Sequence, residues 1–493
     1  MPSQLLATKS IAELHEQESS GNQLRRALTA TQLTLLGIGG VIGTGIFVLT
    51  GVAAAQNAGP ALPLSFIVAG LGCTFAGLCY AEFAAMIPVS GSAYSYSYAT
   101  LGEGVAWFIG WNLVLEYLFA VATVSVGWSG YAVSLLDQLH IHLPPALSHA
   151  PLDQGADALH LVRTGAIINL PAILIVAAIA TICYIGIKQS ASFNSVVVTI
   201  KVTVIVLFIL FGVGYINTDN WHPFVPPNSG TWGVYGPSGI LAAAGVIFFA
   251  YIGFDAISTA AQEAKNPQRD MPIGILASLV ICTILYVAVS AVLTGMVSYR
   301  ELNVPAPVAL ALDKYAGLHW LGIPVKLGAV AGMTSVMLVM TIAQARIFFA
   351  MARDGLLPPW FGHVHPRFRT PSTGTVVTGV SAALIGGVFP VGLLGHLVSI
   401  GTLAAFVTVC IGVLILRVTR PELSRPFRTP YPWFTCIAGA LVCGLMMASL
   451  GIATWIRLAV WTAVGVLVYV FYGYRHSALR RAANGAAASP RTA

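Results

Sequence analysis

The chain has 493 residues, 57% of them hydrophobic and 8% charged, with a mean hydropathy of +0.82. That composition excludes a soluble enzyme and describes a polytopic helical membrane protein. The net charge of +7 does not signal a nucleic-acid partner, because the basic residues fall in short connections between apolar runs, where they set orientation.

Residues 1–32 form a polar N-terminal segment in which Lys9, Arg25 and Arg26 stand among Glu13, Glu16 and Glu18, without the pattern of a cleavable signal peptide. Runs of about 20 apolar residues then give twelve predicted spans, at 33–56, 62–88, 103–135, 164–187, 190–217, 237–261, 273–298, 325–352, 373–393, 395–417, 433–451 and 454–474. An even number puts both termini on one side. With the N-terminus cytoplasmic, 18 of the Lys and Arg residues lie on that face and five (Arg163, Arg300, Lys314, Lys326 and Arg457) on the other, with Lys201 inside the membrane. This asymmetry predicts that both termini are cytoplasmic. Residues 218–236 read as an interfacial cap, 299–324 as a short lid, and the tail 475–493 as disordered.

The first span contains Gly37-Ile-Gly-Gly-Val-Ile-Gly-Thr-Gly-Ile-Phe47, in which five of eleven residues are glycine. Each interior glycine weakens a helix by roughly 1 kcal/mol relative to alanine. Loose backbone inside a bilayer is tolerated only where it is buried in protein or lines a cavity. The stretch therefore reads as a helix broken at mid-membrane, the alternative being a close helix crossing on small residues. Five spans later, Phe248-Phe-Ala-Tyr-Ile-Gly-Phe-Asp-Ala256 combines Gly253, aromatic residues and the acidic Asp255. Interrupted helices at matching positions of two five-span halves point to an inverted-repeat transporter with its substrate between the breaks.

Charge inside a span costs about 2.5–3.5 kcal/mol, so each case needs a reason. Lys201 lies in the middle of an apolar run, where desolvation disfavours its charged form. It reads either as a proton carrier or as a permanently charged tie to backbone carbonyls. Glu116 is placed to meet a cationic side chain or to bond neighbouring helices. Asp255 reads as a gate residue and Glu82 as a helix-packing carboxylate. The seven cysteines have no paired spacing, and neither a metal cluster nor a Walker-type loop is visible. No cofactor is expected, and a proton gradient is the expected energy source.

Residues 37–51 resemble the first span of the amino acid–polyamine–organocation superfamily. Pro88–Tyr98 resembles the loop after span 2 in its cationic amino acid transporter branch, Phe248–Ala256 with Lys265–Pro272 resembles span 6 and the next loop, and Ala350–Pro358 resembles the end of span 8. The resemblance implies a sodium-symporter-like fold of five plus five inverted spans with two more helices. The first repeat would be 33–217, the second 237–417, the added pair 433–474 and the cytoplasmic tail 475–493. It implies that the N–H groups at Gly43, Thr44 and Gly45 meet a substrate carboxylate, as a half-helix N-terminus can. The carbonyls of Val41, Phe249, Ala250 and Ile252 would take the ammonium group, the Phe249 ring would close over the substrate, and Glu116 and Met340 would flank its side chain. Lys201 would be the proton-coupling lysine, with Gly39, Ile42, Thr334 and Ser335 around it and Asp255 supporting the gate.

These readings predict a bacterial plasma-membrane importer of L-amino acids by proton symport. Its substrates would be small, neutral and alanine-like, with the cationic class left open by Glu116. An exchanger and a non-transporting sensor are the alternatives. Protons, membrane lipid and a small accessory membrane helix complete the expected partners.

Overall fold

Thr29 starts the first membrane helix, α1 (Ala30–Val41), through a capping box: its backbone N–H donates to Gln32 Oε1 at 3.0 Å while Thr29 Oγ1 accepts from the Gln32 N–H at 3.4 Å. The structure, a computed structural model, describes residues 5–9, 28–87, 92–155, 160–186, 191–259 and 263–481. Arg25, Arg26, Lys188, Arg491 and the Pro88–Gly91 part of the second motif lie outside them.

After a break at residues 42–43, helix resumes as a π-helical turn at Gly45–Leu49, the short α2 (Thr50–Ala53) and a second π-turn at Ala54–Ala58. The Thr50 hydroxyl lies 2.6 Å from the Ile46 carbonyl and 3.1 Å from that of Gly45, which helps satisfy the wide turn. Then follow α3 (Leu62–Met86), α4 (Ser92–Thr100), α5 (Glu103–Gln138), α6 (Leu170–Ile185) and α7 (Ala191–Gly212). After these come α8 (Gly236–Ile247), α9 (Pro267–Met296), α10 (His319–Arg353), α11 (Ser372–Val388), α12 (Val391–Thr419), α13 (Pro432–Ser449) and α14 (Ile452–Val468). A small antiparallel hairpin, β1 (Leu152–Gln154) with β2 (Leu161–Arg163), pairs Leu152 with Arg163 in the α5–α6 connection.

Among the described residues, eight helical stretches are long and apolar enough to cross a membrane, and four shorter apolar helices accompany them. Two of the short ones, Ala30–Val41 and Gly236–Tyr251, are those that the breaks cut off. Three of the shifted boundaries have a local cause. Asn169 with Pro171 starts α6 at 170 and not 164, and Asn266 with Pro267 starts α9 at 267 and not 273. Pro390 separates α11 from α12, so span 9 stops at Val388 and span 10 begins at Val391.

Two expectations need correction. Residues 92–100 are a helix, not a loop, because the hydroxyls of Tyr94 and Tyr98 reach buried carboxylates, Asp354 at 2.7 Å and Glu103 at 2.9 Å. Residues 475–481 are anchored to the body, with Ser477 Oγ 2.5 Å from Glu103 Oε2.

α3 runs along α9, α5 along α10, and α6 along α11, so three spans each pack against the span five places later. Buried polar groups hold one end of this assembly. Glu82 accepts a bidentate pair from Arg417 at 2.6 and 3.1 Å, and Lys9 pairs with Asp354 at 2.6 Å. At the other end Lys326 reaches Asp313 and Gln138, each at 3.0 Å. All seven cysteines are buried free thiols.

Candidate functional site at the two helix breaks

The two breaks meet backbone to backbone. Gly253 has φ of +118°, a conformation that side chains oppose. A Cβ there would sit 2.6 Å from the Gly40 carbonyl oxygen, and one on Gly40 would sit 3.1 Å from that of Gly253. A Cβ on Gly45 would overlap Ala250. Glycine is required at this crossing because the main chains themselves are in contact.

Between the breaks lies a cavity lined by Gly40, Val41, Gly43, Thr44 and Gly45 on one side and by Phe249 and Ile252 on the other. Ala120, Val124, Val336 and Met340 close the walls, from α5 and α10. As the first turn of a resumed helix, Gly43 to Gly45 carry N–H groups that no upstream carbonyl in that helix accepts. Such donors, with the positive end of a helix dipole, suit a carboxylate. The walls around them are apolar. The cavity volume is about 10 Å³, room for one water molecule and not for an amino acid.

Behind the first break, Lys201 on α7 is fully buried. Its Nζ donates to the Gly39 carbonyl at 2.5 Å, the Ile42 carbonyl at 3.0 Å and Ser335 Oγ on α10 at 3.2 Å. One ammonium thus satisfies carbonyls that the break leaves without helical partners and ties α1 to α7 and α10. Thr334 is not part of this set: its hydroxyl accepts from Trp128 Nε1 at 3.0 Å and lies 2.8 Å from the Val330 carbonyl.

Asp255 follows the second break. Its carboxylate accepts from the Gly253 N–H at 3.2 Å and from the Tyr117 hydroxyl, so it fixes the turn. Glu116 does not line the cavity. It is buried on α5, with Asp255 and Thr402 as polar neighbours, and its Oε1 has no hydrogen-bond partner among the described residues. Ala250 also stands off the wall, and its carbonyl is engaged by a residue that sequence reasoning missed. Tyr286 on α9 has its hydroxyl 3.0 Å from the Val41 carbonyl and 2.9 Å from that of Ala250, so it straddles both breaks. Its only trace in the sequence is a lone tyrosine in an apolar span.

The family model of the amino acid permeases matches residues 28–472. The chain belongs to the amino acid permease family, within the amino acid–polyamine–organocation superfamily. It is therefore a multi-pass membrane protein of a family of permeases and not of enzymes. The chain is 49% identical to the methylthioribose transporter of Bacillus subtilis over 94% of its own length and 97% of that protein's. Identity to the branched-chain amino acid permease BcaP of the same organism is 47%, over 98% and 100% of the two chains. The cationic amino acid transporter 3 of Arabidopsis thaliana is 31% identical over 95% of this chain and 93% of its own.

Proposed function

We propose that this permease imports neutral aliphatic L-amino acids, from alanine to the branched-chain class, by proton symport across a bacterial inner membrane. The observation that carries the mechanism is the Lys201 ammonium held by Gly39, Ile42 and Ser335 directly behind the break that lines the cavity. When Lys201 gives up its proton, the tie between α1, α7 and α10 loosens, and the helix that offers N–H groups to the substrate is free to tilt. Proton release and substrate release are then one event.

The Gly43–Gly45 donors would hold the carboxylate, and the Val41, Phe249 and Ile252 carbonyls the ammonium group. Phe249 would close over the substrate. The Ala250 carbonyl joins them only when Tyr286 turns away. The apolar wall of Ala120, Val124, Val336 and Met340 favours an uncharged side chain, and BcaP, named for branched-chain substrates, fits that choice. Glu116 stands away from this wall, which argues against the cationic class.

The architecture in this reading is twelve spans, with inverted repeats at 33–217 and 237–417, an added pair at 433–474 and cytoplasmic termini. The pairing of α3 with α9, α5 with α10 and α6 with α11 supports it, as does the contact of the two breaks. A cavity this small requires alternating access, since substrate enters only after one side opens.

Uptake of labelled leucine and alanine into proteoliposomes is the test, with and without an inward proton gradient and in the absence of sodium. Gradient-driven accumulation is expected, with leucine competing better than arginine or methylthioribose. Counterflow without net accumulation would make the protein an exchanger, and competition by methylthioribose alone would remove the amino acid assignment.

A further inference from the structure

A second cavity, of about 310 Å³, lies between α5 and α14, far larger than the space between the breaks. Trp107, Trp111, Gly465, Val466, Tyr469 and Tyr474 form most of its wall. It opens on the surface that a bilayer would cover, where Val466 is 52% exposed. The indoles that line it have no donor to spare. Trp107 Nε1 donates to the Gly465 carbonyl at 3.1 Å and Trp111 Nε1 to the Trp461 carbonyl at 2.8 Å. Trp111 stacks on Trp461 at 4.7 Å between ring centroids, which fixes the floor. A Cβ on Gly465 would collide with Trp111, so glycine sets the depth of the groove. What remains exposed is hydrocarbon and ring faces.

The end of the groove is different. Tyr474 closes it, and the Arg480 guanidinium lies 4.3 Å from the Tyr474 ring centroid, with Nη1 donating to the Tyr474 carbonyl at 2.9 Å. Arg475 is exposed beside it. Among the described residues, the nearby carboxylate Glu103 makes no ion pair with either arginine. It is buried, and its two oxygens accept from Tyr98, Tyr469 and Ser477. The other acidic group close by, Asp354, is paired with Lys9 at 2.6 Å.

We propose that this groove is a specific site for an anionic glycerophospholipid, with an acyl chain along the tryptophans and the phosphate at Arg480 and Arg475. An apolar slot that ends in arginines at a helix terminus matches that amphiphile's chemistry and not a neutral lipid's. Tyr469 lines the slot and also bonds Glu103, and Leu5 of the N-terminal segment forms its rim. A bound lipid would therefore brace the contacts that pin both chain ends to α5. The site requires only that the chain spans a membrane and is independent of the transport mechanism.

Native mass spectrometry of the purified full-length protein tests this, with phosphatidylglycerol and phosphatidylcholine of identical acyl chains as probes. Wild type should retain phosphatidylglycerol preferentially. Arg480→Gln should lose about fivefold of that preference, and Arg475→Gln with it about as much again. Val466→Trp, which fills the slot from its exposed side, should reduce retention of both lipids. Thr462→Phe fills the same space from a second position, should Val466→Trp not fold. Equal retention of the two lipids by wild type, or an unchanged preference in the double arginine variant, would overturn the charge recognition. Unchanged retention in the filled variants would overturn the location.

Discussion

At the scale of single residues, Lys201 and Gly45 have the sharpest consequences. Lys201→Met keeps the length of the side chain and removes its charge and donors. It should abolish gradient-driven accumulation while leaving some exchange, measured as uptake against an imposed pH difference. Unchanged pH dependence would remove Lys201 from coupling. Gly45→Leu should eliminate substrate binding, because a Cβ at this position would sit 2.3 Å from the Ala250 backbone and push the two breaks apart. Tyr286→Phe deletes the hydroxyl that straddles the two breaks. The loss of one hydrogen bond, about 1 kcal/mol, should change transport rate roughly fivefold with little effect on expression. Glu116→Gln should affect leucine and arginine equally if its place behind the cavity holds in every conformation. A selective effect on arginine would return it to the substrate pocket.

At the scale of elements, the sequence was most legible where one physical cause dominated. A glycine cluster marked the first break and Gly253 beside Asp255 the second, and the mid-span lysine marked Lys201 and, through the resemblance, its partners. All six residues named around the first break line the cavity or contact Lys201 from it, because local backbone chemistry decides their place. Glu116 stands off the cavity and Thr334 off Lys201 for one reason: each sits on a helix whose rotation about its own axis is set by packing, which an unbroken apolar sequence does not encode. Tyr286 was invisible on the same ground. Helix ends were missed even where a cap or a proline fixes them: the first helix starts at Ala30 behind Thr29 and not at 33, and Pro390 ends span 9 at Val388 and not at 393. The α3–α12 contact offers a separate test. Glu82 is 2% exposed and Arg417 21%. Removing one member of a buried ion pair costs about 3–5 kcal/mol, and Glu82→Ala leaves both Arg417 and the 8% exposed Arg425, 3.4 Å from Glu82, without their carboxylate. Thermal unfolding in detergent should fall by several degrees, and Glu82→Ala with Arg417→Met should recover part of the loss.

At the scale of the whole molecule, two segments far apart in sequence, Leu5–Lys9 and 475–481, belong to the working structure. Lys9 and Tyr94 converge on Asp354 at the end of α10, and Ser477 joins Glu103 at the start of α5. The basic character of both ends was legible as orientation, but these anchoring bonds join residues hundreds of positions apart and leave no local pattern. Asp354→Ala should release the Leu5–Lys9 segment, read as faster hydrogen exchange at residues 5–9 and 94–98 with little change in α3 or α9.

The seven buried cysteines turn the native protein into its own reporter. Because every thiol is shielded in this conformation, a bulky membrane-impermeant maleimide finds nothing to label, and a single cysteine introduced on a loop would carry a dye without removal of any natural one. Cys282 is buried on α9, the helix whose Tyr286 straddles the two breaks. Its modification by a small thiol reagent would mark the moment at which water reaches the breaks.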